Sequence, residues 1–131
     1  MAESAAETIR EFWRLMGTND FDSVAAVLAH DFVLEWPMSR ERIRGAARFA
    51  QMNREYPAHG RWRFEIVRLV ATDRDAVSDV LVTDGVVSAR VISFFTVERG
   101  KITKLVEFWP ESYPAPENRA HLVEVMREVD D

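Results

Sequence analysis

The sequence lacks cysteine, and its apolar residues never gather into a long run. Without thiols the chain has no disulfide, no thiolate nucleophile and no thiolate zinc site, which is compatible with a reducing compartment. A membrane-spanning helix needs about 20 consecutive apolar residues, and no stretch approaches that length. The basic segment and apolar stretch of a secretory signal are also missing. We therefore expect a cytoplasmic protein that is not inserted in a membrane.

Positively charged residues are outnumbered by negatively charged ones. The 131 residues include 17 basic and 22 acidic ones, which gives a formal net charge of −5. Proteins that bind nucleic acid neutralise phosphates with clustered lysine and arginine, so this balance gives no support for such a partner. We expect a small-molecule ligand instead.

The sequence shows no motif for a metal or a cofactor. Its three histidines, His30, His59 and His121, are far apart, and none belongs to a short-spaced ligand motif. Neither a glycine-rich phosphate loop nor a nucleophile elbow occurs. We therefore predict that no metal and no cofactor is bound.

The apolar residues of the first half follow a helical period. Ile9, Phe12, Trp13 and Met16 recur at helical spacing and predict an amphipathic first helix. Two further helices are predicted in "FDSVAAVLA" and "AARFAQMNREY". Three helices are thus expected before the chain changes its period.

The length is typical of one domain, predicted over residues 1–131 with a core of about 4–110 and a tail of 111–131. The tail begins with a stretch rich in proline, "PESYPAPEN". It then carries an apolar stripe at helical spacing, which predicts a tail helix: Leu122, Val125, Met126 and Val129.

From Arg61 onward the period changes to two, which is typical of strands. Trp62, Phe64 and Ile66 alternate with charged residues, and hairpin turns are indicated at Asp84-Gly85 and Arg99-Gly100. Helices followed by an antiparallel meander predict an α+β fold in which the helices lie over one face of a curved sheet.

If both turns are two residues long, the strand register follows from them. Asp79 then lies opposite Arg90, and Ile92 lies opposite Glu107. One face carries Asp79, Arg90, Glu107 and Trp109. The other face is almost purely apolar: Val80, Val82, Val87, Ala89, Val91, Phe95, Val97, Ile102, Val106 and Phe108. On the pattern alone the apolar face is the core, although a single bulge would move part of one strand to the opposite face.

Three stretches resemble the nuclear transport factor two-like superfamily, and within it the SnoaL-like branch of polyketide cyclases and ketosteroid isomerase relatives. They are "DFDSVAAVLAHDFVLEWP", "IRGAARF" and "SFFTVERGKITKLVEFW". The resemblance implies a cone, in which a bent sheet wraps around the helices and encloses an apolar pocket. It also implies a homodimer formed through the outer sheet face. In that arrangement the charged face lines the pocket and the apolar face forms the dimer surface.

The resemblance also implies which residues lie in the pocket. Trp109 stands at the position of a pocket tryptophan in ketosteroid isomerase. Phe12, Trp36 and Ile92 stand where that enzyme has a tyrosine, a base carboxylate and a proton-donating acid. None of the three can replace the group it stands for, so ketosteroid isomerase chemistry is not expected.

Glu107 is the main catalytic candidate, with Asp79 and Arg90 as its partners. Burial beside Trp109 would raise the pKa of Glu107 toward values useful in acid–base catalysis, whereas a salt bridge to Arg90 would keep it ionised. Further residues are predicted to contact the ligand: Trp109, Trp36, Phe12, Ile92, Leu105, Trp13 and His59.

Two functions remain open at this point. The first is a SnoaL-like protein that binds a small, largely apolar molecule in a conical pocket and acts on it as a lyase, isomerase or cyclase. The second is a ligand-binding or dimerisation module without catalysis, in which the polar cluster is structural.

Overall fold

The computed structural model describes residues 4–127, and its first half is largely helical. Helix α1 spans Ala5–Gly17, α2 spans Ala46–Glu55, and a 3₁₀-helix at Phe21–Val27 lies between them. The three predicted N-terminal helices are therefore confirmed, the second of them as a 3₁₀-helix.

Within residues 4–127, the predicted tail helix is present only as a short 3₁₀-helix at Glu117–Leu122. Val125 and Met126 lie beyond its end and are 95% and 70% exposed. An apolar stripe forms a stable helix when it packs against another surface, and these side chains are not buried. Val129, the last residue of the predicted stripe, lies outside the described residues.

Six strands form one curved sheet in the order β2-β1-β6-β5-β4-β3. The strands are β1 Leu28–Trp36, β2 Glu41–Arg44, β3 Arg63–Ala71, β4 Asp75–Thr83, β5 Ser88–Glu98 and β6 Lys101–Phe108. The predicted α+β class is confirmed, and so is the meander from β3 to β6.

Two details of the sheet differ from the prediction. The pair β1–β6 is parallel, so the sheet is not antiparallel throughout. The edge strand β2, which pairs with β1, was not predicted from the sequence. A short strand with charged side chains is typical of a sheet edge, where it discourages pairing with other chains.

The helices pack against the concave face of the sheet. Phe12 of α1 lies at the centre of this core, with its ring centroid 5.4 Å from that of Phe95 on β5 and 6.0 Å from that of Phe49 on α2. Six apolar residues of β4, β5 and β6 are buried in the same core: Val80, Val82, Val91, Phe95, Val97 and Ile102. The apolar face predicted from the pattern is therefore largely the core, and its assignment to an outer dimer surface is wrong.

The first hairpin loop is four residues long, because Thr83 pairs with Ser88. The predicted two-residue turn is wrong for a local reason. The Asp84 carboxylate accepts the backbone N–H groups of Val86 and Val87, at 2.9 and 2.8 Å, and so holds both residues in the loop.

The longer loop shifts the register by two residues, so Asp79 lies opposite Ile92 and Arg90 lies opposite Leu81. The predicted register is wrong here, but the predicted ion pair still forms across the diagonal. Arg90 Nε lies 2.7 Å from Asp79 Oδ1 on the outer face of the sheet.

The second hairpin has the predicted pairing of Val97 with Ile102, followed by a bulge on β6. Thr96 pairs with Lys104, which leaves Thr103 as the extra residue. Glu107 consequently lies opposite Ser93 and not opposite Ile92. The bulge moves Glu107 to the concave face, away from the face that carries Asp79.

Candidate functional site

A cavity of about 1260 Å³ lies between α1, α2 and the sheet. All four tryptophans of the chain line it: Trp13, Trp36, Trp62 and Trp109. Further aromatic and methionine side chains complete an apolar wall: Met16, Met38, Phe49, Met52, Tyr56 and Phe64. A cavity of this composition suits a largely apolar organic molecule.

Glu107 is the buried carboxyl in the wall of this cavity, and its residue is only 6% exposed. Trp36 Nε1 donates a hydrogen bond to Glu107 Oε1 at 3.0 Å, and the Trp109 side chain also donates to the carboxyl. Burial raises the pKa of Glu107 to about 7, although the two indole hydrogen bonds act in the opposite direction. Glu107 can therefore give or take a proton near neutral pH.

Three local features bring Glu107 and its indole partners together. The bulge at Thr103 turns Glu107 inward, and Trp109 follows two residues later on the same side of the strand. Trp36 ends β1, which runs parallel to β6 with Glu35 opposite Val106. Trp36 and Glu107 are the next residues along these two strands, so they lie at the same level of the sheet and can contact each other.

A row of buried polar residues crosses the concave face beside Glu107. Ser78 of β4 pairs with Ser93 of β5, and Ser93 pairs with Glu107 of β6. Ser78 Oγ accepts a hydrogen bond from Trp13 Nε1 at 3.1 Å. Among residues 4–127, no partner is found for the buried Ser93 Oγ.

The structure brings six of the predicted site residues to the cavity: Glu107, Arg90, Trp109, Trp36, Ile92 and Trp13. Arg90 and Ile92 belong to the outer side of β5 and border the rim of the cavity. Arg90 is paired with Asp79, and Asp79 itself is not among the lining residues. No salt bridge between Arg90 and Glu107 is found within the described part of the chain.

The other predicted ligand contacts lie elsewhere. Phe12 and Leu105 are fully buried in the core and do not border the cavity. His59 also lies outside the lining, with its Nδ1 3.0 Å from Asp84 Oδ2. The histidine side chain is 59% exposed, whereas that of Asp84 is 1% exposed.

Asp84 is a buried carboxylate that sequence analysis treated only as a turn residue. It accepts the backbone N–H groups of His59, Val87 and Val86, which together hold its pKa well below the ordinary value. These bonds fix the loop before β3 against the β4–β5 hairpin. Gly60 packs closely against the backbone of Asp84, since a Cβ at position 60 would lie 2.9 Å from the carbonyl oxygen of Asp84.

Several residues of the cavity wall were not predicted from the sequence, among them Met52, Tyr56 and Phe64. Their periodic spacing predicts an apolar face, which is the same signal that core residues give. Asn53 was not noticed because a single amide on a helix carries no pattern. Its Nδ2 donates to the carbonyl oxygen of Phe49 at 2.9 Å.

Among residues 4–127, no group of three histidine or acidic side chains is placed to hold a metal ion. Within the same range, none of the helices has the length and apolar character required to cross a membrane.

Comparison with known proteins identifies the fold family. The family model of the SnoaL-like domain matches residues 9–105. A candidate ketosteroid isomerase from Kribbella flavida is similar in structure, with 34% identity and a TM-score of 0.86, over 97% of this chain and 93% of that one. None of the curated proteins matches the chain in sequence.

Two other solved structures have related folds and different names. An LEH-like epoxide hydrolase from Mycobacterium tuberculosis is 28% identical with a TM-score of 0.63, over 81% of this chain and 82% of that one. A candidate SnoaL-like polyketide cyclase from Jannaschia sp. CCS1 is 14% identical with a TM-score of 0.66, over 80% and 84%. The chain therefore belongs to the SnoaL-like family of the nuclear transport factor two-like superfamily, which includes proteins named as isomerases, cyclases and epoxide hydrolases.

Proposed function

We propose that the protein binds a small, largely apolar organic molecule in the conical cavity and catalyses proton transfer on it through Glu107. The observation that carries this proposal is a buried carboxyl with a pKa of about 7 in the wall of a cavity lined by tryptophans. A general acid or base is most effective when its pKa lies near the working pH.

The reaction class that fits this site is an isomerisation or a ring closure. As a carboxylate, Glu107 removes a proton from a carbon next to a carbonyl group. As the resulting acid, it returns that proton to a different atom of the same molecule. Such a reaction conserves all atoms and needs no oxidant or reductant, so one group that works in both directions is sufficient.

The name of the Kribbella flavida relative suggests isomerisation, but the supporting groups differ from those expected for ketosteroid isomerase. Phe12 is packed in the core, and Ile92 has no proton to donate. Glu107 would therefore supply both acid and base, while Arg90 at the rim orients a polar end of the ligand. Arg90 is held by Asp79, which makes Asp79 a residue that positions another side chain.

Intrinsic fluorescence tests ligand binding directly, because every tryptophan of the chain lines the cavity. We expect cyclic ketones and other apolar carbonyl compounds to change the emission, and native mass spectrometry of the purified protein to detect a retained ligand of this class. A ligand panel that leaves the fluorescence unchanged, together with a ligand-free mass, would contradict the binding proposal.

Substitution of Glu107 separates catalysis from binding. In Glu107→Gln we expect binding to persist and turnover of any converted ligand to fall at least about 100-fold. The matched control is Glu65→Gln on the exposed side of β3, which should retain wild-type turnover. Unchanged turnover in Glu107→Gln would contradict the catalytic role of Glu107, whereas binding without any turnover in the wild type would favour the second function, a ligand-binding module in which the carboxyl is structural.

We also propose that two copies associate through the outer face of the sheet. Val70, Val77, Phe94 and Val106 pair in one row across four strands, and Val70 and Phe94 are 61% and 45% exposed. Exposed apolar patches of this kind often mark protein interfaces. In analytical ultracentrifugation, we expect a dimer for the wild type and a monomer for Phe94→Glu. Val86→Glu in the hairpin loop is the control and should remain dimeric.

A further inference from the structure

The hydroxyl group of Ser93 is an unusual feature of the core. Ser93 is fully buried, and no partner for its Oγ is found among residues 4–127. A buried hydroxyl without a hydrogen bond destabilises a protein, and alanine at the same position would avoid that cost. This position therefore requires an explanation other than packing.

Its neighbours suggest the explanation. Ser93 lies between Ser78 and Glu107 in the strand register, and the side chains of all three point to the concave face. Side chains directly opposite each other in antiparallel strands have Cβ atoms about 4.5–5.5 Å apart. A rotation about one side-chain bond can therefore bring the Ser93 hydroxyl within hydrogen-bond distance of either neighbour.

We propose that Ser93 is a positioning residue for Glu107, whose hydroxyl turns to donate a hydrogen bond to the carboxylate when Glu107 releases its proton. In that state the row extends from Trp13 through Ser78 and Ser93 to Glu107. This inference rests on the proposed acid–base function of Glu107 and adds a group that stabilises the ionised form.

The hydrogen-bonding capacity of Glu107 supports this role. An ionised carboxylate has about four acceptor positions, and in the described part of the chain two donors, the indoles of Trp36 and Trp109, reach this one. The protonated form accepts fewer hydrogen bonds, which agrees with an unpaired Ser93 hydroxyl beside a carboxyl that can hold a proton. Ionisation creates the need for a third donor, and Ser93 is the neighbouring group that can turn to meet it.

Other groups around the cavity can influence the same carboxyl. The titratable or charged ones are Glu41 from β2, Tyr56 after α2, Arg90 from β5 and Glu111 after β6. The facing residues of β1 and β5, Trp36 and Ser93, do not titrate in the relevant range. A substitution confined to Ser93 leaves these groups in place, so the difference from the wild type reports on Ser93.

The test is a carbon-13 NMR titration of the glutamate carboxyl groups, with the Glu107 signal assigned from its absence in Glu107→Gln. In Ser93→Ala we expect the midpoint of Glu107 to rise by about one pH unit, the size of a lost hydrogen bond to a charged group. Alanine suits a buried strand position, so the variant should fold. The control Ser78→Ala keeps the Ser93 hydroxyl and should shift the midpoint by less.

Two results would overturn the role of Ser93. One is a Glu107 midpoint in Ser93→Ala equal to that of the wild type, the outcome for a hydroxyl with only a structural role. The other is an equal shift in Ser78→Ala, which would show that the whole row of polar residues, and not Ser93 alone, sets the titration midpoint of Glu107. A wild-type midpoint near the ordinary carboxyl value of about 4.3 would instead contradict the proposed acid–base function. The two proposals can therefore fail separately.

Discussion

Glu107 and Asp84 are two carboxyl groups with the same exposure and opposite behaviour. Each residue is 6% exposed, yet the pKa of Glu107 is raised to about 7 while that of Asp84 is lowered below its ordinary value. Asp84 accepts backbone N–H groups from His59, Val87 and Val86, whereas Glu107 receives two indole N–H groups. Desolvation has the largest influence on Glu107 and the backbone donors have the largest influence on Asp84, so burial and hydrogen bonding together decide which of the two can exchange a proton.

The local backbone explains why the donors differ. Asp84 lies in a hairpin loop, where the N–H groups of Val86 and Val87 are not used by the sheet and point to its side chain. Glu107 lies within β6, where the backbone N–H groups are used in the strand ladder. Only side chains are left to solvate Glu107, and in this cavity they are indoles. A buried carboxyl group thus holds a loop in place at Asp84 and is an acid–base candidate at Glu107.

The largest difference should appear in the pH dependence of stability. In the unfolded chain Glu107 ionises near pH 4.5, whereas in the folded protein it ionises near pH 7. Between these values the folded state holds the extra proton, so its stabilising effect is complete below pH 4.5 and is lost as the pH rises through 7. The loss amounts to about 3 kcal/mol.

Denaturant unfolding at several pH values measures this loss. In Glu107→Gln, most of the decrease in the free energy of unfolding between pH 4.5 and 7 should disappear. Asp84 acts in the opposite sense, since its contribution is present above about pH 3.8 and is lost as the pH falls below it. It therefore does not mask the window between pH 4.5 and 7. An equal slope in the wild type and Glu107→Gln would contradict the assignment.

Removal of the Asp84 charge should mainly affect stability. In Asp84→Asn an amide group replaces one acceptor oxygen, so at least one buried backbone N–H loses its partner. We expect a fall in Tm of about 5 °C by differential scanning calorimetry. His59→Ala is the control, because it keeps the backbone N–H of residue 59 and removes only an exposed ring. A larger fall in Tm for His59→Ala would show that the imidazole ring, and not the backbone hydrogen bonds of Asp84, holds the loop.

Removal of one indole donor should raise the pKa of Glu107 further and so widen its difference from the pKa of Asp84. Trp36→Phe keeps an aromatic ring and deletes the N–H that lies 3.0 Å from Glu107 Oε1. We expect the pKa of Glu107 to rise by about one unit, as measured by carbon-13 NMR. Trp62→Phe, which removes another indole from the same cavity, should change it much less. A lower pKa in Trp36→Phe would mean that the indole does not stabilise the carboxylate.

The smallest effect is expected for the exposed ion pair of the outer face. The side chains of Arg90 and Asp79 are 43% and 19% exposed, and partly exposed pairs contribute little to stability. Asp79→Asn should lower the free energy of unfolding by less than about 1 kcal/mol, as measured by urea denaturation. A loss as large as that of Asp84→Asn would show that this pair is also a structural clamp.

Much of the fold was predictable because its signals are periodic. The helical spacing of Ile9, Phe12, Trp13 and Met16 and the alternation that begins at Trp62 predicted the helices, the sheet and the meander. The three stretches that resemble the superfamily predicted the family. Periodicity did not separate core from cavity, because Phe12 and Trp13 belong to the same helical stripe and only Trp13 borders the cavity.

The position of Glu107 was predicted for an incorrect reason. Counting from two-residue turns placed it beside Asp79 and Arg90, and both the four-residue loop at Asp84 and the bulge at Thr103 changed that register. Val86 and Val87 look like strand residues, so nothing in their type reveals that the Asp84 carboxylate holds them in a loop. The bulge inserts Thr103, a good strand former, and leaves no local sequence signal.

The carbon-13 NMR titration of Glu107 in the ligand-free wild-type protein tests the central claim most directly. The account predicts a midpoint near pH 7 for a signal that is absent in Glu107→Gln. A midpoint at or below about 4.3 would show a permanently ionised carboxylate, as in an ordinary surface glutamate, and would contradict the acid–base role.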